Sequence, residues 1–270
     1  MLAIDPSGYT IKKALNALTD PKASVDHVLA AQQHKALCRA LNVSVVGEVA
    51  SPLPDAVFVA NAGLLLRGLP EKVVLLSNMK HPSRKKETPD IKKICSALHI
   101  KTVPFRGEVF EGQGECVWLF QAKLLVLGVG FRSTKRTVQP LQETLDRVYG
   151  SYGVAAPLVV GLELTNPLFY HLDIAMCAVN DSECIVRSEA FDGESVRMLK
   201  RLNVRVHTLR SPDVFALNLI PLFNKVVCKK LLRERDRTFL KKVFQLPIVE
   251  VDVGEFEKSG GSVRCMILSI

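Results

Sequence analysis

Five helical segments recur along this chain at about 40 to 65 residues, each followed by a strand and then by hairpin-like strands, which is the spacing of a supersecondary repeat. That period leaves few architectures open, because a unit of this size cannot bury its own apolar faces and must pack on its neighbours. No motif is shared between the units, so the repeat is structural. The expected fold class is α/β, with five units closed around a centre and helices outside; an ordinary mixed α/β sheet is the alternative. With 270 residues and 48% apolar content the chain can bury a sizeable core, and residues 1–270 are taken as one domain.

The first helix is expected from Val25 to Leu41, with Val25, Val28, Leu29, Ala36, Leu37 and Leu41 as its buried stripe. Gly47 and the Pro52 to Pro54 segment break the chain, and Ala56–Ala60 and Lys72–Leu76 read as two buried strands. A second helix opens with Thr88 as a hydroxyl cap before Pro89 and buries Ile91, Ile94, Cys95 and Leu98. The strand Lys101–Phe105 follows, then a Gly- and Glu-rich turn, then a hairpin of Cys116–Phe120 and Lys123–Leu127. Helices are expected at Pro140–Tyr149, Glu194–Leu202 and Arg237–Gln245. Strands are expected at Ile174–Val179, Glu183–Arg187, Val204–Leu209, Pro247–Val253 and Val263–Ile270, and an apolar run from Val214 to Val227 is interrupted at Pro221.

The net charge of +9 would suit an anionic partner, but the basic residues are dispersed and a single Trp with four Tyr gives little to stack on bases. No nucleic-acid partner is expected. Seven cysteines without a C-x-x-C pair suggest neither a disulfide framework nor a zinc ribbon, and reduced thiols in the cytoplasm fit better. No uncharged run spans a bilayer, so no membrane partner is expected.

One stretch stands out chemically, Asn166-Pro167-Leu168-Phe169-Tyr170-His171-Leu172-Asp173. If it is extended, His171 and Asp173 share a face, joining a base to an anion. The nucleophile that such a pair lacks is available in Cys265, behind Gly260-Gly261, where glycines admit a close approach. Cys38, Cys95, Cys116 and Cys177 fall on apolar faces and read as core, while Cys184 and Cys228 are ambiguous. Glu111-Gly112-Gln113-Gly114-Glu115 sets two carboxylates in a glycine-rich turn, either of which could orient an imidazole. Arg84 could clamp a carboxylate. His27, His34, His81, His99 and His207 lack a repeated ligand spacing, so neither a metal nor a cofactor is assigned.

Six ordered stretches carry a resemblance: Pro54 to Gly63, His81 to Glu87, Phe110 to Glu115, Gly130-Phe131-Arg132, Phe169 to Asp173 and Gly260 to Cys265. Together they resemble the guanidine-modifying enzymes of the pentein superfamily, over nearly the whole chain. The branch with arginine dihydrolase and amidinotransferase-like hydrolases is nearest; arginine deiminase and dimethylarginine dimethylaminohydrolase are more distant. The resemblance implies a five-bladed α/β propeller acting on a small guanidino substrate. It implies that Cys265 attacks the guanidinium carbon, His171 protonates the leaving amine and later activates water, and Glu111 orients His171. Asp173 would bind the guanidinium, and Arg132 and Arg84 would contact the substrate carboxylate or the walls of the site. Amidino transfer to an amine and a silent propeller acting as a binding module are the alternatives. Two positions depart from relatives: Asn61 stands where deiminases and dimethylarginine hydrolases place Asp, although the dihydrolase branch also has Asn there, and Glu115 ends a turn that usually ends in Asp. A thiolate suits this chemistry because the delocalised guanidinium carbon is a poor electrophile.

Overall fold

The computed structural model describes residues 1–49 and 53–270. Pro52, expected with Gly47 and Pro54 to break the chain, lies outside the described residues. The first unit pairs β1 (Leu2–Ile4) in parallel with β2 (Val45–Gly47) through helix α1 (His27–Leu41). The second joins β3 (Gly63–Leu66) and β4 (Val73–Leu76) as an antiparallel hairpin, then crosses by α2 (Thr88–Ala97) to β5 (Lys101–Pro104), parallel to β4. The same order recurs in β6 (Cys116–Leu119), β7 (Leu124–Val129), α3 (Lys135–Gly150) and β8 (Leu158–Glu163). It recurs again in β9 (Met176–Ala178), β10 (Glu183–Val186), α4 (Gly193–Arg201) and β11 (Arg205–Thr208). The last unit is β12 (Ile220–Pro221), β13 (Val226–Lys229), α5 (Glu234–Phe244) and β14 (Ile248–Val251). Leu268 supplies the antiparallel edge that the first unit lacks, exchanging two backbone hydrogen bonds of 2.9 Å with Leu2.

The middle strand of every unit is buried on both faces, so it reads as an unbroken apolar run rather than an alternation. Its side chains nevertheless alternate between two neighbours. Val73 and Leu75 of β4 pack with the third unit while Val74 and Leu76 pack with the first. Leu125 and Leu127 of β7 face the second unit, Leu124 and Val126 the fourth. Ile185 and Val227 continue the pattern through the fifth unit and back to the first. Each apolar cluster thus lies between two successive units, and the series closes into a ring: a five-bladed α/β propeller. Truncating a middle-strand residue such as Leu75 to Ala would cost about 2–5 kcal/mol.

Several local expectations are corrected. Residues 56–60 are not a strand; the chain turns there and enters a 3-10 turn at Val59–Ala62. Residues 263–270 form turns with the single bridge at Leu268. Ile174 and Ala175 lie in the one-turn helix Leu172–Ala175, which shortens the expected strand to β9. In α1 the buried face is Ala30, Gln33, His34, Leu37 and Leu41, leaving Val28 and Leu29 at 70% and 37% exposure. Polar Gln33 and His34 had hidden that face from an apolar count. Asp26, accepting from the Leu29 amide at 3.0 Å, sets this helix start later than Val25. Helix α2 begins at Thr88, but Glu87 occupies the cap position without a side-chain bond. Helix α3 starts before Pro140, because Thr134 and Thr137 form a capping box. Helix α5 starts at Glu234, three residues before the expected Arg237. The six cysteines other than Cys265 are also free, with Cys184 and Cys228 in the core. No helix among the described residues is long and apolar enough to cross a membrane.

Candidate active site

Each blade's first strand is entered through a short turn, and the five turns deliver their polar side chains to one place. Asn61 comes from the turn before β3 and Glu111 from the turn before β6. His171 precedes, and Asp173 begins, the one-turn helix before β9. Asn218 ends the 3-10 turn before β12, and Cys265 lies in the turn before Leu268. All six residues are at most 2% exposed. His171 and Asp173 therefore do not share the face of a strand; helical geometry directs them to different partners.

His171 Nε2 lies 2.8 Å from Glu111 Oε2. An ionised carboxylate only accepts, so Nε2 carries the proton and Nδ1 faces the cavity. Burial alone would push the Glu111 carboxyl up, but the His171 hydrogen bond and the charges of His171, Arg132 and Arg84 hold it well below the usual carboxylate range. Arg132 Nε is 3.2 Å from the same oxygen. The guanidinium also contacts His81 Nε2 at 3.0 Å, donates to Leu15 O at 2.7 Å and lies over the Tyr170 ring.

Across the cavity the charges are less well matched. Cys265 Sγ sits 3.5 Å from Asp173 Oδ2 and 3.3 Å from Asn218 Nδ2. Asp173 Oδ1 is buried without a hydrogen-bond partner. Burial, above all, raises the Asp173 carboxyl, and burial together with the Asp173 charge pushes the Cys265 thiol well up. Both effects favour a protonated sulfur.

Arg84 is placed differently from a carboxylate clamp. Its Nε and Nη2 each reach Glu87 at 2.9 Å, Nη2 also donates to Phe58 O at 3.1 Å, and Nη1 donates to Asn61 Oδ1 at 3.0 Å. Burial pushes the Glu87 carboxyl up to about 7 even against this guanidinium, which is matched to it in bidentate geometry. Arg84 thereby fixes the Asn61 amide, whose Nδ2 points to His171 Nδ1 at 3.4 Å. Gly114 must lack a side chain, since a Cβ there would collide with the Asn61 amide. Gly260, at φ +88°, is needed for the same kind of reason against Asn16. Glu115 does not touch His171: it receives the amides of Glu111 and Ser133 at 2.6 and 2.7 Å and the Ser133 hydroxyl at 2.6 Å, tying the turn to the following loop.

The cavity lined by Asn61, Arg84, Arg132, His171 and Cys265 measures about 20 Å³, and Leu15 and Asn16 also border it. Outside it, sharing Leu15, Asp55 and Ser259, lies a hollow of about 320 Å³ lined also by Lys12, Lys13 and Lys86. Neither Asp55 nor Asn218 is assigned from the sequence. Asp55, in the first resembling stretch, lines the cavity, and Asn218, at the position before its strand that candidate residues hold in the other blades, contacts Cys265 Sγ.

The profile of the eukaryotic N,N dimethylarginine dimethylhydrolase family matches residues 11–270. The chain belongs to that family. It is a hydrolase acting on the guanidino group, and the silent-module alternative falls away. Among curated relatives, N(G),N(G)-dimethylarginine dimethylaminohydrolase of Mycobacterium tuberculosis is 27% identical over 269 residues, covering 98% of this chain and 83% of its own length. The bifunctional arginine dihydrolase/ornithine cyclodeaminase ArgZ of Synechocystis is 27% identical over all of this chain but only 37% of itself. The crystal structure of the product-bound N-terminal domain of ArgZ superposes with a TM-score of 0.84 at 24% identity, covering 98% of this chain and 94% of that domain, which establishes the shared pentein fold.

Proposed function

We propose that the chain, as a single domain of residues 1–270, hydrolyses the guanidino group of free arginine through a covalent thiouronium on Cys265. The observation that carries this is the buried Asp173 carboxylate, with Oδ1 unpartnered, beside a thiol on one side of a cavity whose other side holds the paired His171 and Glu111. A lone buried carboxylate is costly, and a guanidinium is its natural bidentate partner. The arriving cation cancels the charge that keeps Cys265 protonated. The thiol proton passes to His171 Nδ1, sulfur attacks the guanidinium carbon, and His171 returns the proton to the departing amine. In the second half His171 takes a proton from water, water adds to the same carbon, the C–S bond breaks, and His171 returns the proton to the departing sulfur.

A cavity of about 20 Å³ holds a water but not arginine, so the segment bearing Leu15 and Asn16 opens for entry. The outer hollow offers Asp55 to an α-ammonium and Lys12, Lys13 and Lys86 to an α-carboxylate. Asn61 supports release of ammonia twice. Because Arg84 occupies its oxygen, it presents an N–H inward, which suits a ureido oxygen better than a guanidinium that only donates. The seven free thiols fit a reducing, cytoplasmic setting.

Incubation with arginine, monomethylarginine, dimethylarginine and agmatine, with products identified by mass, tests this assignment. Citrulline and ornithine should form from arginine, agmatine should react poorly, and Asn61→Asp should raise the citrulline to ornithine ratio. The family membership favours a second reading, hydrolysis of N-methylated arginines. Methylamine release with no turnover of arginine would establish that one. Amidino transfer would appear as a new guanidino product only when an amine such as glycine is added.

A further inference from the structure

Asn218 faces the nucleophile from the fifth turn, fully buried, with both ends of its amide engaged. Its Oδ1 accepts the Arg264 backbone N–H at 2.9 Å. That bond settles which way the amide points, because an NH2 group in its place would confront another N–H. Nδ2 is left directed at Cys265 Sγ, 3.3 Å away, and at the Asp173 carbonyl oxygen, 3.4 Å away.

We propose that Asn218 is a further catalytic residue, donating an amide hydrogen bond to Cys265 Sγ that holds the sulfur in place and stabilises it whenever it carries negative charge. The proposal rests on Cys265 being the nucleophile. Cys265 is 2% exposed, so bulk water contributes little to the solvation of a thiolate there. The charged and titratable groups around it are the Asp173 carboxylate at 3.5 Å, the Tyr170 phenol, Asp55, Arg84, Arg132 and His171 on the shared cavity, and Arg264, the preceding residue in the chain. Asp173, at 3.5 Å, opposes ionisation; the hydrogen bonds that favour the charged sulfur come from Asn218 and the Ser262 backbone. The Asn218 donor is used twice. It steadies the thiolate before attack, and it receives the electron pair that returns to sulfur when the C–S bond of the thiouronium adduct breaks.

Asn218→Leu removes the donor at nearly constant volume without placing a new charge beside the sulfur, and a purely structural role would lower stability without moving the titration of the thiol. The pH midpoint of Cys265 alkylation by iodoacetamide, followed by peptide mass mapping, should rise by about one unit or more. kcat/KM for arginine should fall about tenfold to a hundredfold. Asn218→Ser, which can donate from its hydroxyl, should show an intermediate midpoint and serves if the first variant does not fold. A wild-type alkylation midpoint in every folded variant overturns the proposal. If instead Cys265→Ser keeps full activity, it is the assignment of the nucleophile that fails, a different result.

Discussion

The two sides of the cavity differ in how their charges are met. On one, Glu111 is hydrogen-bonded to the His171 imidazole at 2.8 Å and forms an ion pair with the Arg132 guanidinium at 3.2 Å, so this carboxylate meets its partners without a substrate. On the other, Asp173 has an unpartnered oxygen and Cys265 stays protonated beside it. In the proposed mechanism the first side is ready and a cation completes the second. An enzyme built this way keeps its thiol quiet until the correct charge binds, which protects a reactive sulfur from stray electrophiles.

The largest effect should come from Cys265→Ser, which removes the nucleophile from the waiting side. Turnover should fall by at least about a thousandfold with thermal stability little changed, because a hydroxyl is nearly isosteric but far less nucleophilic near neutral pH. Activity within a few fold of wild type would move the nucleophile elsewhere.

Asp173→Asn should cut kcat/KM for arginine about a hundredfold, since the cation loses its charged partner. The same change should make the free thiol more reactive toward neutral iodoacetamide at a given pH, because the charge that raises its pKa is gone. Opposite signs for turnover and alkylation would sharpen the contrast between the two sides. Equal losses in both would break it.

Glu111→Gln acts on the assembled side and should lower kcat about tenfold or more, with KM for arginine nearly unchanged. It also has a stability signature. The Glu111 carboxyl lies below its unfolded value of about 4.3 in the fold, so its contribution is full above that pH and is lost as pH falls toward the folded value. Denaturant unfolding should show wild type well ahead of the variant at pH 7 and the gap narrowing at pH 3. A constant gap would mean that Glu111 is not held as an ion by its neighbours.

The ring was legible in the sequence because its period survives any error in a single element. Strand β4 and helix α4 appear almost as the apolar pattern places them, while residues 56–60 and 263–270 do not. Those two apolar runs are buried by turning around the cavity, and periodicity alone cannot tell a buried turn from a buried strand. The candidate site residues Cys265, His171, Glu111, Asp173, Asn61 and Arg132 each fall in a motif; the structure places Cys265, His171, Asn61 and Arg132 on one cavity, with Glu111 against His171 and Asp173 against Cys265. Arg84 was found too, but only coordinates reveal that Glu87 and Asn61 consume its donors. Asn218 carried no motif; its signal is its place in the repeat.

The central claim, that a cation completes the site and Cys265 captures its guanidinium carbon, is tested most directly by the intact mass of protein quenched in acid during turnover of arginine. The account predicts a species heavier by arginine less ammonia, with the added mass mapped to the Cys265 peptide and absent in Cys265→Ser. Steady turnover of arginine with no adduct on Cys265 at any quench time, in a protein whose Cys265→Ser variant remains active, would contradict it.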